Sequence, residues 1–132
     1  MIVVDCNIIA YLWLPGDKTT LAEQIYRKDA DWIAPLLWRF EFQNVLSGYL
    51  RLKRIDLATA QKIALNAEES FLSHEFIPSA AKVLALAYKS SCSAYDCAYV
   101  ALAEEMKTKL VTTDKSVINH FPAIAIGAAE FV

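Results

Sequence analysis

The sequence predicts an α/β domain with a mostly parallel sheet of four to five strands. Three observations carry that prediction. Short apolar runs alternate along the chain with longer stretches of helical periodicity, the pattern of repeated strand–helix–strand units. The first run, Ile2-Val3-Val4, is continuously aliphatic and β-branched, as in a strand buried on both faces. No repeat or composition break divides the 132 residues, so residues 1–132 are expected to form a single domain with a sizeable core.

Taken in order, the first strand ends in Asp5, and Ile8-Ile9-Ala10-Tyr11-Leu12-Trp13 begins a helix that Asp5 or Asn7 can cap. Leu14-Pro15-Gly16-Asp17 is a turn, after which Thr19 or Thr20 opens a helix to about Lys28. Trp32-Ile33-Ala34 reads as a second strand, and Pro35 suits the first position of a long helix from Leu36 to about Lys53. Asp56 is the natural cap of a helix from Leu57 to about Leu72. Glu75-Phe76-Ile77, before Pro78, is the weakest strand. Ser79 and Ser93 cap helices running to about Lys89 and Lys107. Lys109 to Thr113 reads as a strand, Ser116-Val117-Ile118-Asn119 as a helical turn, and Ala123 to Ile126 as a last strand.

Composition narrows the functional classes. The chain is 56% hydrophobic with three glycines, which excludes disorder and low-complexity linkers. That fraction lies above the roughly 45–50% of ordinary soluble domains and hints at a surface for self-association or a partner. No apolar run approaches the ~20 residues of a membrane-spanning helix. Met1 leads straight into a strand with no basic segment, so no signal peptide is expected. Cys6, Cys92 and Cys97 are odd in number and lack zinc-site spacing, which suits reduced thiols in a cytoplasmic protein. A formal charge of −2 argues against coating nucleic acid by bulk electrostatics.

Four acids sit in apolar company. Asp5 ends the first strand, where open α/β sheets place their ligands. Glu41, in Trp38-Arg39-Phe40-Glu41-Phe42-Gln43-Asn44-Val45-Leu46, borders the apolar stripe of the long helix, unless Arg39 pairs with it at the surface. Asp96 opens a helix whose Ala94, Cys97, Ala98 and Ala101 make a small-residue face. Ser93-x-x-Asp96 also reads as a capping box. Asp114 follows Leu110-Val111-Thr112-Thr113, and an N-cap is its plainer reading. If the strands at 2–5 and 109–113 are parallel neighbours, their carboxyl ends converge at a topological switch point. Two carboxylates ~5 Å apart repel by about 3 kcal/mol at an effective dielectric near 20. Such a cluster therefore keeps protons or takes a divalent cation. Oxygen donors without clustered His or Cys favour Mg²⁺ or Mn²⁺ over Zn²⁺, and metal-assisted phosphoryl transfer is the chemistry that follows. His74 and His120 stand alone in the sequence, and Glu68-Glu69 and Glu104-Glu105 read as solvated faces.

These motifs carry a family resemblance. Ile2-Val3-Val4-Asp5-Cys6-Asn7, Glu41-Phe42-Gln43-Asn44-Val45-Leu46, Tyr95-Asp96-Cys97-Ala98 and Leu110-Val111-Thr112-Thr113-Asp114, in that order, resemble the PIN-domain ribonucleases, most closely the small VapC-type toxins. The resemblance spans nearly the whole chain. It implies a three-layer α/β/α sandwich around a parallel sheet. It also implies an endoribonuclease that uses Mg²⁺ or Mn²⁺ and leaves a 5′-phosphate on single-stranded or structured RNA. Asp5, Glu41, Asp96 and Asp114 would be the catalytic, metal-binding quartet, with Asn7 and Thr112 as polar groups that hold the first and last acids or their waters. Cys6 stands where Thr, Ser or Ala is more usual and reads as a small buried substitute. A homodimer and an antitoxin that covers the acidic groove are the implied partners.

Rival readings are weaker. A haloacid-dehalogenase-like phosphatase would need a second acid where Asn7 stands, and a receiver domain would need paired acids after the first strand. A catalytically silent, protein-binding relative would not need four acids kept together. Arg51, Lys53 and Arg54, with Arg39 earlier on the same helix, could contact RNA phosphates or simply offset the helix dipole.

Overall fold

The computed structural model describes residues 1–132. Ile2–Val4 forms strand β1, every residue of it buried, and Asp5 caps helix α1 (Cys6–Trp13) by accepting from the Ile8 backbone N–H. Helix α2 (Thr19–Lys28) leads to β2 (Trp32–Pro35), and α3 (Trp38–Arg51) and α4 (Leu57–Ser70) lead to β3 (Glu75–Phe76). Helices α5 (Ala80–Tyr88) and α6 (Ala94–Glu105) return the chain to β4 (Leu110–Thr112). A short α7 (Lys115–His120), β5 (Ala125–Gly127) and one turn, α8 (Ala128–Phe131), complete it. No helix is long and apolar enough to cross a membrane.

The strands pair in the order β3-β2-β1-β4-β5, all parallel. From β1 the chain steps outward through β2 to β3, then crosses back to lay β4 on the other side of β1. Right-handed crossovers that reverse direction put their helices on opposite faces of the sheet. Accordingly α6 lies across β1, β2 and β4 with α5 packed on its outer side, while α1 packs with α2 and α3, α3 with α4, and α2 with α8. The result is the three-layer α/β/α sandwich. Helix α6 is buried from Cys97 through Ala103, and its alanines let it approach the sheet closely. A helix apolar all round belongs between two layers, which is where α6 sits. On the other side, the Trp38 ring packs against those of Phe42 and Phe71, with centroids 5.8 and 4.6 Å away, anchoring the start of α3.

Among the differences from the expected boundaries, three have a clear physical reason. Pro35 closes β2 instead of opening α3. The N–H groups of Ala34 and Leu36 donate to His74 and Phe76 of the β3 side, so the absent Pro35 N–H falls where no ladder bond is needed. Helix α3 ends at Arg51, short of Lys53. Lys53 takes a positive φ of 54°, and the Arg54 N–H returns to the Tyr49 carbonyl, a left-handed helix stop. Helix α8, which pattern reasoning passed over, is too short for any periodicity; the Lys28 ammonium bonds its Phe131 carbonyl and lies 4.7 Å from the Phe131 ring.

Candidate active site

The order of strands reverses between β1 and β4, and their carboxyl ends open side by side. Asp5 stands at the end of β1. Its Oδ1 accepts from the Ile8 N–H at 3.0 Å, and its Oδ2 accepts from the Thr113 N–H at 3.0 Å and from the Thr112 hydroxyl. Thr112 is itself fully buried. Its oxygen also accepts from the Asp114 N–H at 3.0 Å, so a single hydroxyl ties the Asp5 carboxylate to the Asp114 backbone. Asp114 in turn caps α7, its Oδ1 accepting from Ser116 and Val117. Asn7 reaches the Thr113 hydroxyl at 3.5 Å.

The two helical acids arrive from opposite layers. Glu41 lies in the first turn of α3, and Asp96 in the first turn of α6, where the Ser93 hydroxyl accepts from its N–H. Both are half-buried. The capping readings of Asp5 and Asp114 are correct, and so is their convergence: one geometry serves both. Asp5, Glu41, Asp96 and Asp114 line one cleft of about 100 Å³, with Asn7, Tyr99 and Thr112 beside them. That volume has room for several waters. No three His, Cys, Asp or Glu side chains converge closely enough to hold an ion by direct ligation alone.

The electrostatics follow from crowding. Burial holds the Asp5 carboxyl above its ordinary range; hydrogen bonds from Thr112, Ile8 and Thr113 pull it back, and Asp114 adds to the rise. Glu41 is raised by burial and by Asp96 and Asp5, against the hydrogen bond from Tyr99. Asp96 is raised by burial and by Asp114, against hydrogen bonds from Ser93. Burial beside Glu41 and Asp5 pushes the Cys6 thiol up to about 12, so the cysteine stays neutral in the cleft wall. Desolvation and mutual repulsion thus act together, and a cation would relieve both.

Arg39 does not pair with Glu41. Its guanidinium grips Glu75 with two bonds of 2.6 Å and lies 3.6 Å from Glu68, while the Trp38 indole N–H donates to the same Glu75 at 2.6 Å. Glu41 instead accepts from the Tyr99 hydroxyl at 2.6 Å. Arg51, Lys53 and Arg54 are exposed at the far end of α3. Ten residues of helix put Arg51 about 15 Å along the axis from Glu41. Arg54 also rests over the Tyr49 ring at 5.7 Å.

Tyr99 is the cleft residue that sequence reasoning missed. The available signal was its position three residues after Asp96, which puts the two on one side of α6. It is also the only bulky polar side chain in that buried stretch.

A family model described as PIN domain matches residues 2–124. Ribonuclease VapC3 of Pyrobaculum aerophilum is 30% identical over 126 residues, a match covering 93% of this chain and 96% of that protein. The crystal structure of PAE2754 from Pyrobaculum aerophilum is similar with a TM-score of 0.76 at 23% identity, covering 98% of this chain and 91% of that one. FitAcB from Neisseria gonorrhoeae gives a TM-score of 0.77 at 12% identity, covering 98% and 99%. At these identities the two structures speak for the fold alone.

Proposed function

This chain belongs to the PIN domain family, and from that premise we propose that it is an endoribonuclease dependent on Mg²⁺ or Mn²⁺, the toxin of a toxin–antitoxin pair. One observation carries the reading: four acids from four separate elements share one cleft at the switch point of the sheet. A merely structural arrangement has no reason to gather like charges whose carboxyls then resist ionisation. The relative named Ribonuclease VapC3 supports the substrate class, and the toxin assignment rests on the motif resemblance to VapC-type chains.

The donor set fits a hard divalent cation. Asp5, Glu41, Asp96 and Asp114 offer only oxygens, and Mg²⁺ keeps several waters while using one or two carboxylates. A cleft with room for several waters suits that mode. When bound, such a cation lowers the pKa of water and offsets charge on the phosphate. The remaining work falls to the chain. Thr112 and the Ile8 and Thr113 N–H groups hold the Asp5 carboxylate in one orientation. Tyr99 fixes Glu41 through Oε1 and leaves Oε2 free for the cleft. Asn7, exposed at the rim, is a further polar contact for substrate or water.

Arg51, Lys53 and Arg54 are our candidates for phosphate contacts outside the cleft. Arg39, spent on Glu75 and Glu68, is the weakest of the four cations for that role. Partnership follows the same reading. The exposed Leu65, Leu72, Ile77, Leu84 and Tyr88 supply apolar surface for a homodimer and an antitoxin. Three free, buried cysteines suit the reducing cytoplasm.

Incubating the purified protein with a mixed RNA pool, with Mn²⁺ and then with EDTA, tests the enzyme. Metal-dependent cleavage is expected. An intact pool under both conditions would sink the nuclease reading. Growth arrest on expression, relieved by a small neighbouring protein, tests the toxin assignment separately.

A further inference from the structure

A second depression opens directly from the acid cleft. It has a volume of about 640 Å³, within the range of small-ligand sites, and shares Cys6, Asn7 and Glu41 with the cleft. Two aromatic side chains border it. Phe40 is 66% exposed and Tyr95 is 69% exposed, so both rings are open to a ligand. Each immediately precedes a cleft acid, Glu41 and Asp96, in the first turn of its helix. Adjacent helical residues point about 100° apart, so each turn sends a carboxylate into the cleft and an aromatic ring to the neighbouring groove. Leu37 and Val45 add apolar lining, and Asn7 and Asn44 add amides.

The chemistry of this lining selects its occupant. No Lys or Arg lines the groove and Glu41 stands at its junction, so it repels a phosphate. Flat aromatic faces with amide donors and acceptors suit a neutral, planar, polar-edged group. A substrate whose scissile phosphate sits at the acids must place an adjoining nucleotide nearby, and a base held in a duplex has neither face nor edge to offer. Resting on the nuclease reading, we propose that this groove is a base-binding subsite. It takes one unpaired nucleobase beside the scissile phosphate, stacked on Phe40 or Tyr95, with Asn44 and Asn7 setting base preference.

A single-stranded RNA hexanucleotide carrying 2-aminopurine, alone and annealed to its complement, provides the probe. Binding to the full chain in EDTA, at an ionic strength that screens the acid cleft, is followed by anisotropy and by quenching of the fluorescent base. The single strand should bind with quenching and the duplex should not. Phe40→Leu and Tyr95→Leu keep apolar bulk but lose the π face, and at least one of them should weaken binding roughly tenfold. Phe40→Trp and Tyr95→Phe should bind as wild type, with unchanged circular dichroism in all four. In Mn²⁺, Asn44→Ala should flatten the base preference next to the cleaved bond.

Wild-type affinity and quenching in both Leu variants would overturn the subsite while leaving the nuclease reading intact. Absence of single-strand binding by the wild type would overturn it as well. Unchanged RNA binding with lost self-association or lost antitoxin binding would reassign the groove to protein docking and refute the proposal. Aromatic-dependent binding without any cleavage would support the subsite and count against the nuclease reading alone.

Discussion

The phenol of Tyr99 donates to Oε1 of Glu41 at 2.6 Å, joining α6 to α3 beside the cleft. Burial next to Glu41 keeps that phenol firmly protonated, so it acts as a donor at every ordinary pH. Removing it with Tyr99→Phe leaves Glu41 half-buried and short of a partner, at a cost of about 1–3 kcal/mol in stability. The tyrosine's hydrogen bond lowers the Glu41 pKa, so its loss raises that pKa further. If ionised Glu41 is needed for cleavage, the acidic limb of the rate profile should move to higher pH in the variant. An unmoved limb would show that Tyr99 only fills space.

Asp96→Asn is the cleaner charge deletion in the cleft. The Ser93 cap accepts from the Asp96 backbone N–H, which the substitution keeps, so the fold should persist by circular dichroism. RNA cleavage should fall below detection. Asp5→Asn should be equally inactive but less stable, because its amide can serve Ile8 through oxygen yet turns a donor toward the Thr113 N–H. Full activity in purified Asp96→Asn protein would remove that acid from the site.

Much of this was legible because local signals and tertiary ones agree. Ile2-Val3-Val4 and Leu110-Val111 read as buried strands and are buried strands, and the acids that follow them read as caps and are caps. Their adjacency depended on β4 crossing back to β1, which periodicity cannot encode but the right-handed crossover rule makes ordinary. The Arg39–Glu75 grip was not legible. Thirty-six residues separate the partners, and only the β2–β3 pairing brings them together. Pro35 misled for a related reason: its role depends on which strand edge needs a donor, a fact of the sheet and not of the chain.

Stability of the metal-free protein should depend on pH in an unusual direction. Asp5, Glu41 and Asp96 all have folded pKa values raised above their ordinary values, 3.8 for the aspartates and 4.5 for the glutamate. Between those values and the raised ones, the folded state binds more protons than the unfolded state, so stability falls as pH rises through that window. In EDTA the thermal midpoint should therefore increase as pH is lowered through that window. Mg²⁺ or Mn²⁺ should flatten the trend by stabilising the ionised cluster. A midpoint that falls steadily on acidification in EDTA would mean that these acids do not repel one another in the folded chain.

Asp114 separates a metal site from a mere helix cap. Its Oδ1 accepts from Ser116 and Val117, and asparagine caps about as well as aspartate, so Asp114→Asn keeps the start of α7. What the substitution removes is a charge that raises the pKa of both Asp5 and Asp96. Without metal, Asp114→Asn should thus be at least as stable as wild type at neutral pH. With Mn²⁺ at a hundredfold excess over the dissociation constant, the wild type should gain about 2.7 kcal/mol by mass action. For a domain of this length that corresponds to a rise in midpoint on the order of 10 °C. The variant, lacking one donor, should gain much less. Thermal melts of both proteins in EDTA and then in Mn²⁺ make the comparison. A wild-type midpoint indifferent to the metal would leave four capping and surface acids that happen to meet, and the proposed chemistry would lose its physical basis.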